Sequence, residues 1–340
     1  MKLASVDIFR FRLPLTYPVS LKGVPHSSRE GLLIRVKDQG GAEGWGEIAP
    51  LPRFSSETLD EALAEAKVIA SHLQNAPNGA SPGTLPSVRF GFELALNSLH
   101  SSRSPVHHLR SPGEAVALCR LLFGTTAQVI AEARQLKEKG FLAAKIKVGQ
   151  RPVKEDAELI REVAAEIKGL MLRLDANGAW SLSEAEEFFR SLEDTRIDFI
   201  EEPLADRRNL STLAGRCSIP IALDETLRTP EALEFLPLAK VLVLKPSLMG
   251  RVNSLTEFAN SARGNGKRCV ISSAWETGIG TNGLLRLASS LPGEIHGLDT
   301  YRYLRHDVLF HALQLDAPIA PCPEYILGEG DINMSLLEHV

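Results

Sequence analysis

The stretch that decides the fold covers residues 171–203 and reads MLRLDANGAWSLSEAEEFFRSLEDTRIDFIEEP. It opens and closes with the apolar runs 171–176 and Ile197–Glu201, which are typical of strands that are covered on both faces. Between them, Ser181 and Glu184 have the spacing of a capping box, which begins a helix. A strand, a helix and a second strand in this order predict two parallel strands joined by a crossover helix.

The same alternation of strand and helix continues on both sides of this stretch. From about residue 114 onward we identify eight strand candidates, at 115–122, 143–148, 171–176, 197–201, 219–224, 241–245, 268–273 and 295–300. Eight units in roughly 190 residues favour an α/β fold of the (β/α)8 barrel type over an open doubly wound sheet, although the period alone allows both.

The first hundred residues are built differently. Short β-branched and aromatic runs alternate there with Pro and Gly, as in antiparallel sheets, and helical patterns follow. We therefore expect an α+β domain over residues 1–100 and a barrel domain over residues 114–304. The irregular tail, from about 305 to 340, is expected to pack back on the first domain.

Composition restricts the class of function. Of the 340 residues, 38 are Lys or Arg and 42 are Asp or Glu, and a net charge of −4 gives no basic surface for nucleic acid or an anionic membrane. No apolar run approaches the ~20 residues that cross a bilayer, and no secretory signal is recognisable. Four widely spaced cysteines argue against a disulfide framework and a thiolate zinc site. We expect a cytoplasmic protein that acts on a small molecule and needs no obligate protein partner.

Charged residues stand at the ends of consecutive strand candidates. Lys145 and Lys147 close the second candidate, and Lys245 closes the sixth. The third, fourth and fifth candidates each end in an acid, and these acids are Asp175, Glu201 and Asp224. Each of these residues is therefore expected at the C-terminal end of its strand, on the rim where barrel active sites are assembled.

Three carboxylates on one rim are unfavourable unless a cation neutralises them. A site made only of oxygen ligands suits Mg²⁺, with Mn²⁺ as its substitute. The alternative for each single carboxylate is that it caps the helix after its strand, but three on consecutive strands favour the metal.

The lysines are predicted to face each other across the carboxylates, because the second and sixth strands of an eight-stranded barrel are opposite. Lys145 and Lys147 lie two residues apart on one strand and so share a face. This arrangement suits proton transfer on two sides of a substrate. The alternative is that all three lysines, including Lys245, are ordinary ion-pair partners of the acids.

A glycine-rich stretch at 278–283, GIGTNG, formally matches a dinucleotide-binding motif. It occurs in the seventh unit rather than the first, which argues against that interpretation. A helix that starts after such glycines can still bind an anion, so Gly278, with Ser272 and Ser273 just before it, is predicted to hold a substrate carboxylate.

At this point the sequence resembles the enolase superfamily, in its muconate-lactonizing subgroup. The matching motifs run in the family's order: Lys145-Ile146-Lys147, Asp175-Ala176-Asn177, Ile200-Glu201-Glu202-Pro203, Leu223-Asp224-Glu225 and Leu244-Lys245-Pro246. Within the subgroup, the stretches 44–52, 54–59 and 173–177, with Trp180, are similar to the o-succinylbenzoate synthase family. One departure is Arg53, where that family's pattern has glycine.

The resemblance implies a capping domain from both termini over a (β/α)7β barrel. It implies that Asp175, Glu201 and Asp224 bind Mg²⁺, with Asn177, Glu202 and Glu225 behind them. Lys147 would remove the proton next to the substrate carboxylate, while Lys145 supports Lys147. Lys245 would stabilise the resulting enediolate from the opposite face. Arg29 is expected to reach the substrate from the capping domain.

The expected reaction is a Mg²⁺-dependent dehydration that converts a cyclohexadiene carboxylate into 2-succinylbenzoate, in menaquinone biosynthesis. The same residues would also serve racemisation of N-acylamino acids or epimerisation of dipeptides. Two further alternatives are an aldolase that forms a Schiff base on Lys245 and a binding module without catalysis.

Overall fold

An antiparallel sheet forms the N-terminal part of the computed structural model, which describes residues 3–75, 83–103, 115–323 and 327–340. Its strands are β1 (Leu3–Leu21), β2 (Val24–Asp38) and β3 (Glu43–Ile48), and a C-terminal strand, β13 (Leu337–His339), pairs with β1. Lys22 and Gly23 join β1 to β2 with φ of 46° and 81°. Both residues of this two-residue turn are left-handed, as the twist of a tight hairpin demands.

Two helices, α1 (Leu59–Asn75) and α2 (Pro86–Arg103), cover one face of this sheet. The backbone of α2 lies directly against β3. A β-carbon at Gly46 would lie only 1.9 Å from the carbonyl oxygen of Gly91, so this close approach requires glycine. The shared core includes Leu32, Ile34 and Phe92, all fully buried.

The barrel is formed by eight parallel strands, and each overlaps one of the eight candidates. They are β4 (Val116–Leu122), β5 (Ala143–Lys147), β6 (Met171–Asp175), β7 (Ile197–Glu201), β8 (Ile221–Leu223), β9 (Val241–Leu244), β10 (Arg268–Ile271) and β11 (Ile295–His296). Neighbours pair in sequence order, β11 pairs with β4, and a parallel bridge between Ser272 and Gly297 closes the ring. The barrel rather than the open sheet is therefore confirmed.

Helices follow the first seven barrel strands. They are α3 (Thr126–Glu138), α4 (Val153–Glu166), α5 (Leu182–Arg190), α6 (Leu210–Ala214), α7 (Ala232–Phe235), α8 (Pro246–Met249), α9 (Leu255–Gly264) and α10 (Gly278–Ser289). After β11 the chain makes only a 3-10 turn, Asp299–Tyr303, which gives the (β/α)7β form. In the described parts of the chain, no helix has the length and apolar character needed to cross a membrane.

One helix start differs from the sequence-based prediction. Helix α10 begins at Gly278 rather than after the glycine-rich stretch, so Gly278, Gly280 and Gly283 lie inside its first two turns. The tail beyond it contributes β12 (Ile319–Ala320), antiparallel to β4, as well as β13.

Candidate active site

The charged residues predicted at strand ends lie together on one rim of the barrel. Lys147, Asp175 and Glu201 are neighbours across β5, β6 and β7, because their Cα atoms pair in register. Asp224 follows directly on β8, and Lys245 follows directly on β9. The structure thus brings together all six residues in the arrangement that the spacing predicts.

Lys145 and Lys147 both contact the carboxylate of Asp175. The Nζ of Lys145 lies 2.8 Å from Asp175 Oδ2 and 2.6 Å from Glu201 Oε2. The Nζ of Lys147 lies 2.5 Å from the same Asp175 oxygen and donates to Asn177 Oδ1 at 2.6 Å. One ammonium group therefore bridges two acids, while the other is held between an acid and an amide.

Lys245 approaches the cluster from the opposite side. Its ammonium group donates to Asp224 Oδ2, and both residues are buried. Asn177 donates in turn to Glu225 Oε1 at 3.2 Å. Every one of the three lysines has an acidic partner, as the ion-pair alternative also predicts.

The pKa values show how these charges act on each other. Burial works against ionisation of Asp175, but Lys145, Lys147 and Lys245 outweigh it and hold the pKa of Asp175 below its ordinary range. Burial, with Asp175 and Asp224 nearby, raises the pKa of Glu201 to about 7 in spite of Lys145. The acids thus crowd one another, and additional positive charge at this rim would be favourable.

Glu202 hydrogen-bonds to the segment that follows β8. Its Oε1 accepts from the backbone N–H groups of Asp224 at 2.7 Å and Thr226 at 2.8 Å, and its Oε2 accepts from Thr226 Oγ1 at 2.7 Å. It therefore fixes the turn that carries Asp224. Glu202, directly after the strand that ends in Glu201, and Asn177, two residues after the strand that ends in Asp175, both have positive φ, 40° and 45°.

The donor set fits a magnesium ion by its chemistry. The carboxylates of Asp175, Glu201 and Asp224 are at most 2% exposed and offer only oxygen ligands. In the described ranges, no group of three His, Cys, Asp or Glu side chains has the geometry to hold a metal ion. Lys145 lies between two of the carboxylates instead.

A cavity of about 450 Å³ opens over this rim. Lys145, Lys147 and Lys245 line it from the barrel, together with Ser272 and Ser273. Its other wall comes from the β1–β2 turn and the segment after β3, with Leu21, Leu51 and Phe54 among the lining residues. The site therefore lies between the N-terminal sheet and the barrel.

Gly278 and Arg29, both predicted to bind substrate, do not line this cavity. The N–H of Gly278 donates to Asp307 Oδ1 at 2.9 Å, so a carboxylate of the chain itself already occupies this helix start. The guanidinium of Arg29 is buried and donates to the carbonyl oxygens of Ala49, Pro50 and Trp275. Both residues therefore lie outside the cavity that the three lysines line.

The sequence does not predict which aromatic residues line the cavity. Phe54, Phe123 and Trp275 all line it. They come from loops of three distant segments, and no pattern in the sequence distinguishes such aromatic residues from those of the core.

Two family models match the chain. One is described as "Enolase C-terminal domain-like" and matches residues 128–325, and the other is described as "MenC, N-terminal domain" and matches residues 3–99. The o-succinylbenzoate synthase of Haemophilus influenzae is 34% identical, and the alignment covers 93% of this chain and 95% of that protein. The chain belongs to the o-succinylbenzoate synthase family of the enolase superfamily.

Other relatives agree with this family membership. The o-succinylbenzoate synthase of Edwardsiella ictaluri is also 34% identical, over 90% of this chain and 93% of its own length. A similar solved structure is that of o-succinylbenzoate synthase from Thermosynechococcus elongatus BP-1, complexed with Mg in its active site. Its sequence is 28% identical and its TM-score is 0.76, and the alignment covers 91% of this chain and 97% of that chain.

The L-Ala-D/L-Glu epimerase of Bacillus subtilis shares the fold. It has a TM-score of 0.82 at 22% identity and covers 95% of this chain and 97% of that chain. The superfamily and the barrel expected from the sequence are confirmed, and the chain is an enzyme of this superfamily.

Proposed function

We propose that this enzyme is an o-succinylbenzoate synthase, which removes water from 2-succinyl-6-hydroxy-2,4-cyclohexadiene-1-carboxylate to give 2-succinylbenzoate. The observation that carries the proposal is that Lys147 and Lys245, on opposite strands of the barrel, line one cavity above the three carboxylates. The family relatives, which match over nine-tenths of the chain, support the choice of reaction.

Asp175, Glu201 and Asp224 would hold Mg²⁺, for which Mn²⁺ could substitute. When bound, the ion supplies positive charge to the substrate carboxylate, on which negative charge builds up as the neighbouring proton leaves. The same charge would lower the pKa of Glu201, which burial and the neighbouring acids raise.

Lys147 is the proposed base for the proton next to the carboxylate. Its side chain is 26% exposed, against 14% for Lys145 and 11% for Lys245, so it is the lysine most open to the cavity. Asp175 and Asn177 hold its Nζ in place. Lys145, which bridges Asp175 and Glu201, orients these carboxylates beside it.

Lys245 remains charged and would stabilise the developing negative charge from the opposite face, because its neighbours favour its ammonium form. Asp224 and Glu225 outweigh burial and raise the pKa of Lys245. Departure of the neighbouring hydroxyl group, with the proton taken from carbon, then releases one water and completes an aromatic ring. The reaction needs no oxidant and belongs to the lyases.

The other expectations follow from this reaction. The substrate is a small carboxylate, and neither nucleic acid nor a membrane takes part. Cytoplasmic location, the absence of an obligate protein partner and the domain limits at 1–100 and 114–304 stay predictions.

The test is an absorbance assay on the cyclohexadiene substrate with Mg²⁺, with and without EDTA. We expect rapid formation of 2-succinylbenzoate that EDTA abolishes and Mg²⁺ restores. Lys147→Ala should abolish turnover while circular dichroism and thermal unfolding stay unchanged, because a rim lysine contributes little to the core. Lys137→Ala, on the exposed face of α3, is the matched control.

Three outcomes would contradict the proposal. Turnover of N-acylamino acids or dipeptides but not of the cyclohexadiene would establish the racemase or epimerase alternative. A borohydride-trapped adduct on Lys245 would establish an aldolase. Substantial turnover by Lys147→Ala would remove Lys147 from the role of base.

A further inference from the structure

Trp275 is one of the aromatic residues that line the cavity. It lines the active-site cavity and also an adjoining cavity of about 590 Å³. Its ring lies 5.4 Å from the ring of Tyr303, and the ring of Tyr303 packs edge-on against Phe123, at 6.4 Å. Phe123 lines the same cavity. Trp275 and Phe123 therefore both border the substrate space, and each packs against the buried ring of Tyr303.

The backbone of Trp275 is held in a conformation that bulky residues rarely adopt. Its φ is +68°, in the left-handed region. Both backbone polar groups of Trp275 are hydrogen-bonded. Its N–H donates to Thr300 Oγ1 at 3.2 Å, and its carbonyl oxygen accepts from Arg29 Nε at 3.0 Å. Strain of this kind persists only where the surroundings enforce it, and it is concentrated at functional sites.

Arg29 connects this strained residue to the N-terminal sheet. It lies on β2 and is only 5% exposed, and its guanidinium also donates to the carbonyl oxygens of Pro50, at 2.7 Å, and Ala49. Ala49 and Pro50 are followed directly by Leu51, which lines the active-site cavity. One buried guanidinium thus fixes two parts of the cavity wall relative to each other.

We propose that Trp275 is a specificity-determining residue whose ring packs against the conjugated diene of the substrate ring, and that Arg29 is the positioning residue that fixes it there. The inference rests on the proposed function and adds the residues that select its substrate. Carboxylates on conjugated six-membered rings are favoured over saturated or acyclic ones, because an aromatic side chain gains more from stacking on a π system.

Binding of two product-like diacids tests this inference on the full chain with Mg²⁺. One is 2-succinylbenzoate, and the other is its saturated analogue, 2-succinylcyclohexane-1-carboxylate. Isothermal titration calorimetry should show that the unmodified enzyme prefers the aromatic compound. Trp275→Leu should bind 2-succinylbenzoate about tenfold more weakly and lose most of that preference, whereas Trp275→Phe should keep most of it.

Tryptophan fluorescence supplies a second measurement with a matched control. Binding of 2-succinylbenzoate should change the emission of the unmodified enzyme and of Trp45→Phe, because Trp45 is buried against Phe9 in the core and does not line the active-site cavity. The change should be lost in Trp275→Phe.

The positioning role of Arg29 is tested by a property that would stay unchanged if Arg29 contributed only to stability. Arg29→Gln should reduce the preference for the aromatic compound and raise KM more than it lowers kcat, with partial recovery in Arg29→Lys. A fall in melting temperature with an unchanged preference would show that Arg29 contributes to stability alone and would overturn its positioning role.

The outcomes separate this inference from the proposed function. If the unmodified enzyme prefers 2-succinylbenzoate and Trp275→Leu keeps that preference, the inference is overturned and the proposed function stands. If the unmodified enzyme binds neither diacid, both are overturned.

Discussion

Arg53 has a backbone conformation that is unfavourable for any residue with a β-carbon. Its φ is +67°, and its side chain is exposed. This is the position where the family's pattern has glycine, so the departure noticed in the sequence coincides with a left-handed residue in the segment after β3. We expect Arg53→Gly to be more stable than Arg53→Ala by about 1 kcal/mol, because only glycine adopts this φ without steric conflict.

The comparison of Gly with Ala at this position isolates the backbone effect. Both substitutions remove the same charge and the same long side chain, so urea unfolding of the two variants differs mainly in the cost of the left-handed conformation. Equal stability of the two variants would contradict the prediction.

At the scale of single elements, the capping box of α5 is the clearest local signal. The structure contains both of its bonds, since Ser181 Oγ accepts from the N–H of Glu184 and the carboxylate of Glu184 accepts from the N–H of Ser181 at 2.8 Å. Ser181→Ala should lower the free energy of unfolding by about 1 kcal/mol, measured by urea titration. Ser183→Ala, at an exposed position two residues after Ser181, should have a much smaller effect.

The same local rules explain which elements the sequence predicts well. A capping box, an apolar run and a charged strand end are all contained in a few consecutive residues, and the strands from β4 to β11 all overlap their predicted positions. The six charged residues of the rim follow from these strands, because side chains at the C-terminal ends of parallel strands must meet at one edge.

The glycine-rich stretch shows where local rules fail. Gly278 and Gly280 suggest a loop, yet both lie in α10. Glycine occurs at these two positions because other parts of the chain come too close for a side chain. A β-carbon would lie 2.2 Å from Asp307 Oδ2 at Gly278 and 2.7 Å from Glu47 Oε2 at Gly280. Glu47 is more than two hundred residues away in sequence, so nothing within the stretch itself indicates this contact.

Arg29 is a second example of a long-range contact. It is expected to reach the substrate from the capping domain, whereas in the structure its guanidinium donates to the carbonyl oxygen of Trp275, which lies 246 residues away. Long-range contacts of this kind decide which polar residues face the cavity and which hold its walls.

At the scale of the whole molecule, the cavity depends on how the N-terminal sheet meets the barrel. Besides Arg29, Glu47 on β3 crosses this boundary. Its carboxylate accepts from the N–H and the hydroxyl group of Thr277, at 3.0 and 2.7 Å, and from the N–H of Gly280 at 2.9 Å. A fully buried acid thus occupies the start of α10, two residues after Trp275.

Glu47 should make this contact sensitive to pH. Burial, with Glu276 nearby, outweighs the hydrogen bonds from Thr277 and the charge of Arg29 and raises the pKa of Glu47 to about 7 from its ordinary value of 4.5. Between these two values the unfolded chain loses the Glu47 proton while the folded chain keeps it. The contribution of this group to stability therefore falls as the pH rises from about 4.5 to about 7, by on the order of 3 kcal/mol.

The prediction is tested by comparing the enzyme with Glu47→Gln, which cannot titrate at this position. Urea unfolding from pH 4.5 to 8 should show the unmodified enzyme losing free energy of unfolding relative to Glu47→Gln as the pH rises, with the difference constant above about 7.5. Glu155→Gln, exposed on α4, should follow the unmodified enzyme throughout. If the curve of Glu47→Gln runs parallel to that of the unmodified enzyme, Glu47 is ionised in the folded state across this range, and the start of α10 binds it as an ordinary anion.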